Sequence, residues 1–175
     1  MSLNKLTAAL RRIPDFPKPG IVYIDITPLL QDSSIFATMI DLLAAEYQGS
    51  NKPDYIAAID ARGFIIGGAL AYKLGCGFIP VRKKGKLPYD TIEESYSLEY
   101  GEATVEIHTD AAASGSKVLL IDDLLATGGT ANAAVKLLEK LDVNIIGIHF
   151  IVELAFLNGR KALEKYNVKS LIVEN

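Results

Sequence analysis

Residues 118–130 read VLLIDDLLATGGT, so apolar, acidic and small residues follow one another in blocks. The first four residues are apolar, as expected of a strand buried on both faces of a parallel sheet. Two adjacent aspartates, Asp122 and Asp123, follow at the predicted end of that strand. The small residues Ala126–Thr130 come next, and a helix is expected to begin near Gly129 or Thr130. The stretch predicts a strand, a polar loop and a helix in succession.

The segments on either side alternate in the same way. Short apolar runs predict buried strands, and amphipathic or small-residue segments between them predict helices. The predicted strands are 55–59, 77–81, 117–122, 144–154 and 168–173, and the predicted helices are 33–48, 64–74, 130–141 and 157–166. This alternation favours an α/β fold with a mostly parallel central sheet flanked by helices.

Two segments do not fit the alternation. Residues 13–31 are rich in proline and then apolar, and we expect them to form part of a small cap. Residues 82–110 begin with RKKGKLP, become polar and alternate at 103–107, which predicts a loop and an antiparallel hairpin inserted in the core. Polar insertions of this kind are often functional lids. At 175 residues, the chain suits a single domain.

Composition restricts the partners and the compartment. A net charge of −3 gives no global electrostatic reason to expect nucleic acid. One cysteine, Cys76, excludes an intrachain disulfide and fits a reducing compartment. The most apolar window, residues 64–81, is interrupted by Lys73 and four glycines and makes a poor membrane span. We therefore expect a cytoplasmic protein that binds neither nucleic acid nor membrane.

The loop after the strand at 117–122 has the chemistry of an anion site. Ligands of α/β folds bind at the carboxyl ends of parallel strands, and the first N–H groups of a helix favour a phosphate. Gly128 and Gly129 allow the backbone to approach a ligand, and Thr127 and Thr130 supply hydroxyl groups. The loop lacks the lysine of a Walker loop and the spacing of the dinucleotide motif.

The aspartates require a second group on the ligand, because carboxylates only repel a phosphate. Sugar hydroxyls and hydrated Mg²⁺ are the groups that need anionic oxygen acceptors. Asp122 and Asp123 beside an anion loop therefore indicate a site for a ribose 5-phosphate moiety. One alternative stays open from the residues alone. The aspartates can be a turn and helix-cap pair, with glycines that only permit a tight loop.

The stretch DDLLATGGT (122–130) resembles the phosphoribosyl pyrophosphate (PRPP) signature of the type I phosphoribosyltransferases, in the form typical of members that act on adenine. Further segments resemble the same family in the same order along nearly the whole chain: PDFPKPGIVYIDITPLL (14–30), ARGF (61–64), VRKKGKLP (81–88), SYSLEYG (95–101) and VELAFLNGR (152–160). The resemblance implies one phosphoribosyltransferase domain over 1–175. Its hood would come from about 13–31 and the C-terminal part, and its catalytic flexible loop from about 82–110.

The resemblance also implies a reaction, in which adenine and PRPP give AMP and pyrophosphate in purine salvage. Mg²⁺ would be carried by PRPP, near Asp122 or Asp123. Both aspartates would face the ribose hydroxyls and stabilise positive charge at C1 in the transition state. The 5-phosphate would be bound by Ala126, Thr127, Gly128, Gly129 and Thr130.

The family pattern assigns roles to three further groups of residues. Arg62, Arg82, Lys83 and Lys86 would bind pyrophosphate. The Arg82 region would reach the neighbouring subunit of a homodimer. Glu99 would transfer a proton at the purine N7, and Tyr100 would close over the site. Adenine would contact Val22, Tyr23 and Leu157.

Ile24 departs from the family pattern, which commonly has an arginine before the aspartate of this motif. A phosphoribosyltransferase for hypoxanthine, guanine or xanthine is therefore a first alternative. A second alternative, from another class, is a non-catalytic PRPP-sensing regulatory module. Such modules usually carry a DNA-binding domain, which we do not expect here because the resemblance begins by about residue 14 and Glu99 is present.

Overall fold

The structure, a computed structural model, describes residues 3–98 and 101–175. These residues form two compact units, one up to Glu46 and the other from Tyr47 to Asn175. None of the helices in the described ranges is both long enough and apolar enough to cross a membrane.

The described part of the first unit, residues 3–46, combines helices with a small hairpin. Its elements are α1 (Leu3–Ala9), β1 (Arg11–Pro14), β2 (Val22–Asp25), α2 (Thr27–Gln31) and α3 (Ser33–Glu46). The two strands pair antiparallel. The Asp32 carboxylate accepts hydrogen bonds from the N–H groups of Ser34 at 2.9 Å and Ile35 at 3.0 Å, and so caps α3.

The described part of the second unit is built on a seven-stranded sheet with the order β5-β6-β4-β3-β7-β8-β9. Its elements are β3 (Tyr55–Ile59), α4 (Arg62–Leu74), β4 (Gly77–Lys83), β5 (Thr91–Leu98), β6 (Gly101–His108), β7 (Lys117–Leu125), α5 (Gly129–Lys140), β8 (Asn144–Leu154) and β9 (Val168–Glu174). Strands β4, β3, β7, β8 and β9 run parallel. The antiparallel β5–β6 hairpin joins this sheet through β4. The predicted fold class and hairpin are confirmed.

Strand β7 lies inside this sheet, between β3 and β8, and most of its first half is fully buried. Val118–Ile121 have no exposed surface, and Leu137 and Leu138 of α5 are equally buried. Each large aliphatic side chain buried in this way contributes about 1.5–3 kcal/mol relative to an exposed one. This burial on both faces explains why the strand is a continuous apolar run.

The end of β7 and the segment 157–166 differ most clearly from the prediction. Strand β7 continues past residue 122, because Leu124 pairs with Val152 and Leu125 with Glu153 on β8. Asp122 and Asp123 therefore lie within the strand. The helix predicted at 157–166 is wrong as an α-helix: the chain forms 3₁₀ turns at Ala155–Leu157 and Gly159–Leu163, separated by the left-handed Asn158 at φ 54°.

Candidate functional site

The carboxyl ends of β3 and β7 bring the polar residues together. These neighbouring strands are parallel, with Ala58 opposite Ile121. Asp60 follows β3 and Asp122 lies on β7, so both reach the same edge of the sheet. Helices α4 and α5 also begin at this edge, which is where α/β folds bind ligands.

An open cleft of about 490 Å³ lies at this edge. The predicted site residues that line it are Arg62, Lys83, Asp122, Asp123 and Thr130. A smaller pocket of about 80 Å³ is lined by residues 126–130 together with Asp122. Asp122 and Thr130 line both cavities, so the predicted ribose and phosphate positions adjoin.

Arg62 and Asp123 form an ion pair in the cleft. The Arg62 Nε donates a hydrogen bond to Asp123 Oδ2. The Asp123 side chain is 8% exposed, whereas that of Arg62 is 44% exposed. The pair connects the first turn of α4 to β7 and so brings a cation into contact with the acidic pair.

Asp122 is held differently from its neighbour. Its Oδ1 accepts a hydrogen bond from the Asp123 N–H at 2.8 Å. A Cβ added at Gly63 would lie 2.9 Å from this oxygen, so a glycine lets α4 approach the carboxylate. Burial, and then the adjacent Asp123 carboxylate, raise the pKa of Asp122 well above its ordinary value of 3.8.

The 126–130 loop leads directly into α5. Gly128 has φ 83°, in the left-handed region that favours glycine, and it precedes the first helical residue, Gly129. The first N–H groups of a helix have no intrahelical acceptor and form an anion site. A Cβ added at Gly129 would lie 3.4 Å from the Tyr96 ring, so β5 lies across the start of α5.

Asp60 is a site residue that the sequence interpretation missed. It lines the cleft, its Oδ2 accepts the Lys83 N–H at 3.3 Å, and the same oxygen lies 3.7 Å from Arg82 Nε. A signal for it exists in the sequence. Asp60 follows the buried run YIAAI in the same way that Asp122 follows VLLI.

The basic run leaves the cleft after Lys83. Arg82 Nη1 donates to the Lys86 carbonyl at 3.0 Å, and Lys86 itself is exposed. The buried Glu106 carboxylate accepts the N–H groups of Lys86 at 2.8 Å and Leu87 at 2.7 Å. Although burial opposes the shift, these backbone donors, with that of Gly85, lower the pKa of Glu106.

The remaining predicted residues lie elsewhere in the chain. Glu99 and Tyr100 fall outside the described residues. Leu157 ends a 3₁₀ turn, is 39% exposed and is not among the residues that line the cleft. Val22 and Tyr23 lie on β2 of the first unit, where the Tyr23 ring packs edge-on against Phe16 with centroids 5.3 Å apart.

The aspartates are the residues of this cleft that could ligate a metal ion. Among residues 3–98 and 101–175, no group of three or more His, Cys, Asp or Glu side chains converges to hold a metal ion. Asp122 and Asp123 do present carboxylate oxygens beside the anion loop. Such a pair suits a cation that takes its other ligands from a bound phosphate compound.

Comparisons with known proteins agree with this geometry. The family model of the phosphoribosyl transferase domain matches residues 27–175. The adenine phosphoribosyltransferase of Brachyspira hyodysenteriae is 56% identical over 163 residues, which are 93% of this chain and 95% of that protein. The enzyme of the same name from Acidothermus cellulolyticus is 50% identical over 171 residues, 97% of this chain and 96% of that protein.

Solved structures agree as well. The crystal structure of adenine phosphoribosyltransferase from Thermoanaerobacter pseudethanolicus is 50% identical, has a TM-score of 0.93, and aligns over 99% of this chain and 100% of that one. The Saccharomyces cerevisiae enzyme, complexed with an imino-altritol bisphosphate and adenine, is 41% identical with a TM-score of 0.92 over 97% of both chains. The chain therefore belongs to the phosphoribosyl transferase domain family, and within it to the adenine phosphoribosyltransferases.

Proposed function

We propose that the chain transfers the 5-phosphoribosyl group from PRPP to adenine in a Mg²⁺-dependent reaction, giving AMP and pyrophosphate in purine salvage. The observation that carries this proposal is the meeting of Asp122, Asp123, Arg62 and the 126–130 loop at one edge of the sheet. The names of the relatives and the adenine in the yeast complex support adenine as the acceptor.

The 126–130 loop is the proposed binding site of the 5-phosphate. Its pocket adjoins the start of α5, where backbone N–H groups and the helix dipole favour an anion. Gly128 and Gly129 permit close approach, and Thr127 and Thr130 add hydroxyl donors. Asp122 lines the same pocket, which supports contact between its carboxylate oxygens and the ribose hydroxyls of the same substrate.

The aspartates act on the charge that develops at C1. The bond from C1 to adenine nitrogen forms as the bond from C1 to pyrophosphate oxygen breaks, and the ribose carbon becomes cationic between the two. The buried Asp123 carboxylate stabilises this charge best in a cleft that excludes water. Asp122, with its raised pKa, is suited to binding a ribose hydroxyl.

Cations around the cleft receive the leaving group. Arg62 and Lys83 line the cleft directly, whereas Arg82 lies on β4 and Lys86 on the loop that follows it. Pyrophosphate oxygens compete with Asp123 for the Arg62 guanidinium, which binds phosphate in a bidentate manner. Substrate binding thus releases Asp123 to face the ribose.

The base end of the reaction depends on residues assigned by family resemblance. Glu99 transfers the proton at the purine N7, and Tyr100 closes over the substrates. Val22, Tyr23 and Leu157 contact adenine. The position of Tyr96 across the start of α5 supports a role for the β5–β6 hairpin as the cover of the cleft.

Mg²⁺ fits the donor set of the cleft. Mg²⁺ is typically held by one or two carboxylates together with substrate phosphates, and it keeps several waters. Asp122 and Asp123 supply those carboxylates. When bound, the ion supplies charge neutralisation for the departing pyrophosphate.

We also propose a homodimer in which the Arg82 region reaches the site of the neighbouring subunit. Ile65 and Tyr72 lie seven residues apart on one face of α4 and are 50% and 91% exposed. An exposed aromatic and an aliphatic residue on one helix face support burial by a second copy. The half-buried thiol of Cys76 supports a reducing compartment, for which we propose the cytoplasm.

Steady-state rates with PRPP test the reaction. Adenine, hypoxanthine, guanine and xanthine are compared as acceptors, each with and without Mg²⁺. We expect turnover with adenine that requires Mg²⁺. The departure at Ile24 makes a 6-oxopurine the second candidate acceptor, and a preference for one would replace adenine in the proposal. Binding of PRPP without consumption of any base would contradict the proposal that the chain is an enzyme.

A further inference from the structure

The 126–130 loop rests directly on a second loop, the 3₁₀ turn Gly159–Leu163, which we name the 159–163 turn. A Cβ added at Gly128 would lie 2.5 Å from the Gly159 carbonyl oxygen and 3.1 Å from the Ala162 Cβ. A Cβ added at Gly159 would overlap the Ala126 carbonyl oxygen and lie 2.9 Å from Leu125. The two backbones are therefore in contact, and neither can move towards the other.

The 159–163 turn is fixed to the sheet by one arginine. Arg160 Nε and Nη2 donate to the two carboxylate oxygens of Glu153, each at 2.6 Å. Arg160 Nη1 donates to the Val168 carbonyl at 2.7 Å, and the Ser170 hydroxyl donates to Glu153 at 2.8 Å. Arg160 thus joins the turn to β8 and β9 at once.

The Glu153 end of this pair is buried, which makes the anchor specific. Glu153 is 5% exposed, and the hydrogen bonds from Arg160 lower its pKa despite that burial. A planar guanidinium meets a carboxylate in a fixed bidentate geometry that lysine cannot reproduce. A 3₁₀ turn has little stability of its own, so its position depends on such contacts.

We propose that Arg160, acting through Glu153 and the 159–163 turn, is a positioning residue. It would hold the 126–130 loop in the position required to bind the 5-phosphate. The inference rests on the proposed function for the identity of the ligand, a sugar 5-phosphate. Neither Arg160 nor Glu153 lines the two cavities of the site. Their effect therefore passes through the contact between Gly128 and Gly159.

Arg160→Met and Arg160→Lys test the anchor with two readouts. Calorimetry measures the Kd for ribose 5-phosphate, and kinetics measure KM for PRPP and for adenine. Because a misplaced loop binds its ligand poorly, we expect Arg160→Met to raise the Kd and the PRPP KM about tenfold, with adenine KM within about twofold. Arg160→Lys should recover part of the loss. Equal changes in both KM values, or an unchanged Kd, would overturn the proposal.

Two glycine variants provide a second test that does not require Arg160→Met to fold. Gly159→Ala pushes on the Ala126 carbonyl, whereas Gly147→Ala, its matched control, meets atoms no closer than 3.5 Å. We expect weakened binding of ribose 5-phosphate only in Gly159→Ala, and equal affinities in both variants overturn the proposal. Binding of ribose 5-phosphate that depends on Arg160, without turnover of adenine, would overturn the proposed function alone.

Discussion

Arg62, in the first turn of α4, donates a hydrogen bond to Asp123 on β7, although the two residues are 61 positions apart in sequence. Family resemblance assigns the first to pyrophosphate and the second to ribose. In the proposed reaction, binding of PRPP exchanges this ion pair for two others, Arg62 with pyrophosphate and Asp123 with the ribose. These new contacts would offset the cost of separating Asp123 from Arg62.

Asp123→Asn removes the buried charge that the cleft presents to C1. We expect kcat to fall about a hundredfold or more, because a preorganised charge stabilises the transition state far more than the ground state. The fold should survive, since Arg62 is partly exposed and can be hydrated. Kinetics with adenine and PRPP, together with circular dichroism, measure both effects. Asp110→Asn, an exposed carboxylate outside the cleft, is the control, and a kcat within twofold of the parent would contradict the role.

Asp122→Asn separates stability from activity. Because burial and Asp123 raise the pKa of Asp122, the folded chain keeps a proton that the unfolded chain loses. The folded state of the parent therefore loses stability as the pH rises from 3.8, the ordinary pKa of an aspartate, towards the raised pKa of Asp122. Removing the charge should raise Tm at pH 7 by about 2–4 °C for each kcal/mol relieved.

The same variant should show a smaller gain in Tm near about pH 4, where the folded parent keeps this proton and the carboxyl of the unfolded parent is only partly ionised. Turnover should fall at both pH values. Thermal unfolding of the two proteins across this range gives the answer. A lower Tm for Asp122→Asn at neutral pH would show that the ionised carboxylate stabilises the fold.

Glu94→Gln tests the attachment of the hairpin to α5. The Glu94 carboxylate binds Lys136 at 3.0 Å and Lys140 at 2.8 Å, and these lysines lower its pKa. Exposed ion pairs contribute about 0.2–1 kcal/mol each, so we expect faster amide exchange in β5 and β6. Lys84→Gln, which breaks the pair with Glu93 and leaves α5 untouched, is the control. Equal exchange in the two variants would refute an attachment through Glu94.

Tyr72→Glu tests the proposed dimer. A charge on the exposed face of α4 should prevent a second copy from covering it, because burying an unpaired carboxylate is costly. Sedimentation equilibrium should therefore detect a dimer for the parent and a monomer for the variant. Val173→Glu changes an apolar residue that is 48% exposed on β9 and serves as the control. A parent that sediments as a monomer, or a variant that stays dimeric, would count against this face.

The sequence predicts those parts of the structure that depend on local pattern. The apolar runs YIAAI and VLLI become the paired strands β3 and β7, because short continuous apolar runs are typical of strands buried on both faces of a parallel sheet. The start of α5 at Gly129 follows from the small, flexible residues before it. Glycine and aspartate spacing also predicts that the acidic pair adjoins the 126–130 loop, since both come from one continuous stretch.

The sequence does not predict contacts that join distant segments. Asp60 was missed because its partners Arg82 and Lys83 lie on another strand. The segment 157–166 has a helical composition, yet Asn158 takes a left-handed conformation and Arg160 bonds to β8 and β9. Tertiary hydrogen bonds of this kind override a weak local preference.

The buried Glu106 carboxylate, by accepting the N–H groups of Lys86 and Leu87, directs the path of the basic loop through its backbone alone. The lysine side chains of that loop therefore take no part in this contact. Mutation at Lys83 or Lys86 can alter the charge offered to a substrate while the loop keeps its course. Evolution can therefore adjust the electrostatics of this loop and its architecture separately.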